Sequence, residues 1–309
     1  MKKQLALTAL AIAIAAPGVA TATEVKVGGI VQIFYFADYE NDADANINGA
    51  DIRTQITASE TVGGYTGYSS FRIDADGLSN DAKARTSTVS NATATDPAEP
   101  VETSDGLGLT GDSITVGVKN DSFDFQMGEV SKVQDLGRYA GDLRSFEGDL
   151  EEHIGITGSF GPVKVRAAYS PDGANNDDYT GLGLEFNAGV VTVGVNAQNK
   201  GDDDEALTVG VKGSFGPVAA ALHYTDMEQG GFDKTITAVK VSGKAGIASL
   251  ALTHHVFDDE DVTPVTAQKG DRTRFDASVP VAGIVSAVLR YETTDDDAGF
   301  TRIGLQSKF

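Results

Sequence analysis

Apolar and polar residues alternate one by one along most of the chain. Ile114, Val116 and Val118 alternate with Thr115, Gly117 and Lys119, and Phe123, Phe125 and Met127 with Asp124, Gln126 and Gly128. The same rhythm runs through 163–169, 191–197 and 285–292. Successive side chains on a strand point to opposite faces, so each segment has one apolar and one polar face. Short connections fall at 62–64, 120–121, 161–162, 188–189, 216–217, 243–245 and 281–282. Longer acidic ones fall at about 38–49, 77–111, 129–150, 171–178, 199–204, 227–232, 258–269 and 294–298. The two kinds alternate strictly, and the segments between them count to sixteen strands with both chain ends on the short-turn side.

This pattern predicts an all-β antiparallel barrel. A β-sandwich of this length would need two strongly apolar inner faces, and here one face stays polar strand after strand. A membrane barrel reverses the order, with a wet lumen and an apolar face toward lipid, tight turns on one rim and long loops on the other. A local repeat fits that frame. Gly158-Ser159-Phe160-Gly161-Pro162-Val163 is echoed by Gly213-Ser214-Phe215-Gly216-Pro217-Val218, and each copy leads into a strand ending in a tyrosine, Tyr169 or Tyr224. Aromatics so placed suit the girdle between lipid and water.

The two chain ends sharpen the compartment. Lys2 and Lys3 precede the apolar run Leu5 to Ala16, then Pro17-Gly18 and the small-residue site Ala20-Thr21-Ala22. That is a secretory leader, expected to span 1–22, with 23–309 as one barrel domain. The run is too short for a membrane helix, which needs about 20 apolar residues. At the other end Ile303, Leu305, Ser307 and the terminal Phe309 share a face. The chain is acidic, with a net charge of −21 and no cysteine. Nucleic acid is excluded as a partner by that charge, and cysteine-based metal or thiol chemistry by composition. An acidic chain suits a salty exterior or a cation-attracting cavity.

With these residues in view, the chain resembles a trimeric general porin of the gammaproteobacterial type. The resemblance is carried by Val27-Gly28-Gly29-Ile30, by Gly67-Tyr68-Ser69-Ser70-Phe71-Arg72, by the strand pair 112–128, and by Phe309 as a C-terminal assembly signal. Ser307 departs from that signal, where an aromatic or apolar residue is usual. The resemblance implies a third loop folded into the lumen and a second loop, about 77–111, that latches a neighbouring subunit. It implies passive diffusion of small hydrophilic solutes and ions, an outer membrane with its lipid and lipopolysaccharide as surroundings, and a homotrimer.

Charge at a constriction chooses which ions pass. The third loop offers Glu129, Asp135, Asp142, Glu147, Asp149 and Glu151 as acidic constriction residues, beside the apolar Leu136, Tyr139, Leu143, Phe146 and Leu150. Parity sends Arg53, Arg72, Lys164 and Arg166 to the lumen, and Arg272, Arg274 and Arg290 with them, because a charge on the lipid face at mid-membrane costs about 2–4 kcal/mol. Acids on the loop facing arginines on the wall would form a transverse field, and the net charge predicts a preference for cations.

Other readings are weaker. Gly106-Leu107-Gly108-Leu109-Thr110-Gly111 matches a dinucleotide fingerprint but lacks the strand before it and the helix after it. Asp44, Asn46, Asn48 and Gly49 resemble half of a calcium loop, with Gln55 in place of the closing glutamate. No cofactor is expected. Weak Ca2+ binding at that loop, at 202–204 or at 295–297 stays open, with solvated loop tips as the plainer reading. An outer-membrane hydrolase would need a base from His153, His223, His254 or His255, and no serine sits in a nucleophile elbow. A secreted soluble adhesin and a substrate-selective channel complete the alternatives.

Overall fold

In the computed structural model the chain is a closed antiparallel barrel of sixteen strands. The described residues are 24–38, 46–76, 108–141, 153–171, 178–201, 204–229, 231–259, 270–294 and 299–309. The leader at 1–22, residues 77–107 of the second loop and Asp44 lie outside them, while residues 108–111, expected to end that loop, begin β4, and Asn46, Asn48 and Gly49 begin β2. The strands are β1 (Glu24–Asp38), β2 (Asn46–Val62), β3 (Tyr65–Asp76), β4 (Gly108–Lys119), β5 (Phe123–Gly128), β6 (His153–Phe160), β7 (Val163–Ser170) and β8 (Tyr179–Asn187). They continue as β9 (Val191–Lys200), β10 (Asp204–Phe215), β11 (Val218–Gln229), β12 (Phe232–Ala245), β13 (Ala248–Asp259), β14 (Gly270–Ala282), β15 (Val285–Thr294) and β16 (Gly299–Lys308).

Each strand pairs with its sequence neighbours, and β1 closes on β16 with Ile30 opposite Lys308 and Asp38 opposite Phe300. The closing seam reaches the last residue. Gly29 N–H donates to the Phe309 carbonyl at 2.9 Å, and Phe309 N–H donates back to Gly29 at 3.2 Å. Closure removes the two unpaired edges that an open sheet would present, and in lipid every backbone group needs such a partner.

The faces fall as period two demands. Val193, Val195, Val209, Leu222 and Leu252 are outward and exposed, while Thr192, Asn196, Thr208, His223 and Thr253, in the opposite phase, are buried inside. The repeat has a shared local cause. The ring of Phe160 lies over Gly158 and that of Phe215 over Gly213, where a Cβ would come within 2.8 Å and 3.1 Å of the ring. Each glycine thus makes room for the aromatic that marks its rim.

Two short turns lie further along than the alternation predicts. They fall at Gly246-Ile247 and Gly283-Ile284, not at 243–245 and 281–282. Gly246 and Gly283 take the left-handed backbone at φ +62° and +52°, which glycine adopts without the steric cost that a side chain adds. β12 and β14 therefore run on to Ala245 and Ala282 before reversing.

Candidate functional site

After β5 the chain turns into the barrel. Glu129 N–H donates to the Ile114 carbonyl at 2.9 Å, and the Thr115 hydroxyl donates to the Glu129 carbonyl at 2.6 Å. Ser131 N–H reaches the Gln126 side chain at 2.7 Å. From there residues 130–141 cross the inside of the wall over β6 to β11 and end at β13.

Small residues on the wall let the backbone lie down. Val130 covers Gly155, and Val133 and Leu136, in and after a short 3-10 turn (Val133–Asp135), cover Gly181 and Gly183. Gly137 rests on Gly194 and Gly210; a Cβ on Gly210 would collide with the Gly137 carbonyl. Val133 is fully buried, and Val130 and Leu136 are 3% exposed. Burying such side chains contributes about 1.5–3 kcal/mol each. These groups form an interior that a lumen filled only with water would lack.

Polar anchors then fix the path. Asn196 Nδ2 donates to the carbonyls of Leu136 and Gln134 at 3.1 Å and 3.4 Å. Tyr139 donates to Glu185 Oε2 at 2.8 Å, and Lys212 Nζ pairs with the same carboxylate at 3.2 Å while lying 3.9 Å from the Tyr139 ring centre. Burial, followed by the bond to Glu185, raises the Tyr139 hydroxyl above the ordinary phenol range, so it stays a neutral donor. Ala140 N–H donates to His223 Nδ1 at 3.3 Å, and His255 Nε2 donates to the Gly141 carbonyl at 2.6 Å. These two bonds place both histidines as loop supports. In the sequence His223 stands only as one of four candidate bases for the weaker hydrolase reading.

The sequence-selected residues separate into groups. Glu129 pairs with Arg72 at 3.6 Å, joining the start of the loop to β3. Asp135 pairs with Arg166 at 3.5 Å, and Arg166 Nη1 also donates to the Lys132 carbonyl. Arg166 is only 13% exposed there. It therefore lies beneath the loop and holds it, instead of facing it across open lumen. Lys164 sits nearby, 3.6 Å from Glu185. Arg53 faces the lumen beside Asp74 and Ile30 in the register of β3 and β1. Asp142, Glu147, Asp149 and Glu151 lie outside the described residues.

The opposite wall is built differently. Arg272 pairs with Glu292 at 2.9 Å, Arg274 and Arg290 share Asp276 at 2.7 Å and 2.8 Å, and Arg302 donates to Gln32 at 2.5 Å. These pairs keep several arginines upright on the lumen face of β14 to β16. Among the described residues no cluster of three His, Asp or Glu side chains is placed to hold a metal ion.

A family model described as Gram-negative porin matches residues 6–299. Among solved structures, a mutant of the porin of Rhodopseudomonas blastica is similar in fold, with a TM-score of 0.69 at 12% identity over 93% of this chain and 100% of that one. A triple mutant of the same porin gives 0.68 at 12% identity, with the same coverage. Likeness at that identity is a likeness of fold. No functionally curated protein matches the chain.

Proposed function

The chain belongs to the Gram-negative porin family, a family of outer-membrane diffusion channels and not of enzymes, and from that premise we propose that its pore is a general one, crossed by a transverse field. The observation that carries this reading is the asymmetry of the lumen. The inner loop lies on one wall and carries the exposed carboxylate of Asp135, while Arg53, Arg272, Arg274 and Arg290 occupy the lumen face from β14 round to β2, and Arg72 is drawn to Glu129 at the start of the loop. Hydrophilic solutes would pass between these two surfaces, oriented by the field and sized by the loop.

The same proposal includes a modest preference for cations. It rests on the net charge of −21 and on the acids of the third loop, and the arginine wall keeps it modest. It also includes export by a leader cleaved after residue 22, the gammaproteobacterial type, and a homotrimer latched by the second loop. These are supported by the leader pattern and by the local resemblance described above. The test is conductance of the purified protein in planar bilayers under a potassium chloride gradient. Steady steps, closing in three equal decrements, with a reversal potential of the sign for cations, are expected. Steps without triplets would overturn the trimer, an anion-signed potential would overturn the preference, and the absence of any current would overturn the pore.

A further inference from the structure

A second charged feature lies away from the loop, in the half of the lumen nearest the short turns. There β12 to β16 and β1 line a cavity of about 490 Å3 that is open to the lumen. Its lining includes Lys240, Lys244, Arg290 and Arg302, against the single carboxylate of Asp276. Neutral donors complete it, among them the amide of Gln32 and several serine hydroxyls. The strand register places these groups together. Asp276 stands opposite Arg290, and Arg290 opposite Arg302, in one row across β14, β15 and β16. Lys240 and Lys244 stand two and six residues along β12 from Ala238, on the same lumen face.

The charges do not cancel. Asp276 is already shared by Arg274 and Arg290. No ion pair of Lys240 or Lys244 occurs among the described residues. A wall built only to stay wet has no need for such an excess, because like charges raise one another's free energy unless a counter-ion joins them. Screening extends over about 8 Å at physiological ionic strength, so charges lining one cavity act together on an anion inside it. The volume suits a small organic molecule, and hydroxyl and amide donors suit the oxygens of a phosphate.

We propose that this cavity is a docking subsite for small polyanions, above all phosphorylated solutes, on the turn-side wall beyond the loop. The subsite rests on the pore reading, since its ligand arrives through the lumen. A solute with several negative charges would pause there, with Lys240 and Lys244 on one side of it and Arg290 and Arg302 on the other. The consequence is saturable passage for polyanions in a channel that simple ions cross freely.

Tripolyphosphate is a suitable probe, added during single-channel recording in potassium chloride, with orthophosphate as the low-charge comparison. Tripolyphosphate is expected to interrupt the current at concentrations at least about five times lower than orthophosphate, because each added contact to a charge contributes. The double variant Lys240→Gln with Lys244→Gln is expected to raise the half-blocking concentration about tenfold while keeping wild-type heat-modifiable gel mobility. Either single variant should fall between, which keeps the test alive where the double variant does not fold. A channel that conducts potassium chloride yet treats the two phosphates alike overturns the subsite and leaves the pore standing. Block by tripolyphosphate that survives every lysine variant overturns it too. Loss of all current in the wild-type protein overturns the pore reading itself.

Discussion

Where the inner loop crosses the wall, the lumen face offers Gly155, Gly181, Gly183, Gly194 and Gly210, with Asn196 and His223 as anchors. Across the lumen, from β14 round to β2, it carries Arg53, Arg272, Arg274, Arg290 and Arg302. Both are polar faces of the same alternating strands, yet they meet different requirements. The first is covered, so it must be small enough for a backbone to approach, and Asn196 and His223 meet that backbone with hydrogen bonds. The second faces the open lumen, where its arginines stay partly hydrated, although Glu292 beside Arg272 is itself buried. The contrast teaches that the lumen of this barrel is half interior and half channel, and that residue size on the lumen face distinguishes the two.

That contrast can be broken most forcibly at Gly210. Gly210→Val would drive a side chain into the Gly137 carbonyl, and overpacking of this kind costs about 1–3 kcal/mol. The expected result is a lower unfolding temperature in gel-mobility assays and a larger, noisier single-channel current as the loop lifts. Ser278→Val on the open wall should leave both unchanged. The charges divide the walls a second way. Replacing Arg272, Arg274 and Arg290 with glutamine should raise the cation-to-anion permeability ratio roughly twofold to threefold, since a lumen field acts directly on ion concentration. Arg166→Gln, beneath the loop, should shift the ratio far less and instead add current noise. Reversal potentials in a salt gradient check both.

His223→Ala removes one acceptor from the loop backbone, a loss of about 1 kcal/mol. Brief closures should become more frequent with little change in mean conductance. The smallest effect is one of salt. Raising ionic strength from about 0.1 M to about 1 M shortens screening from about 10 Å to about 3 Å. The ion preference should fade over that range, and a preference that held constant would place its cause in size and not in charge.

The strands and their faces were legible in the sequence because alternation is a local signal that strand geometry reads directly. Lipid enforces it further, since a charge on the wrong face is costly. Two turns were misplaced by two or three residues because alternation runs smoothly through Lys244-Ala245 and Val281-Ala282. Only the left-handed glycines that follow stop the strands. Parity likewise gave Arg166 its face but not its neighbour. Whether a lumen residue meets water or the loop depends on where a distant segment lies down, as the contact between Asp135 and Arg166 shows. One overlooked signal did carry that information. Gly155, Gly181, Gly183, Gly194 and Gly210 all stand in the lumen phase of neighbouring strands, which marks the track of a backbone. The cation excess at Lys240 and Lys244 was beyond reach, because it needs the register of six strands at once.

The absence of cysteine makes the half-covered channel directly testable. A cysteine can be placed at Ser278 on the open wall or at the buried Thr208 on the covered one, and single-channel current followed while a charged methanethiosulfonate reagent is added. A stepwise change of current is expected with Ser278→Cys and none with Thr208→Cys. Current that is insensitive at Ser278→Cys but changes at Thr208→Cys, or no current from either protein, would contradict a pore whose lumen is divided between loop and water.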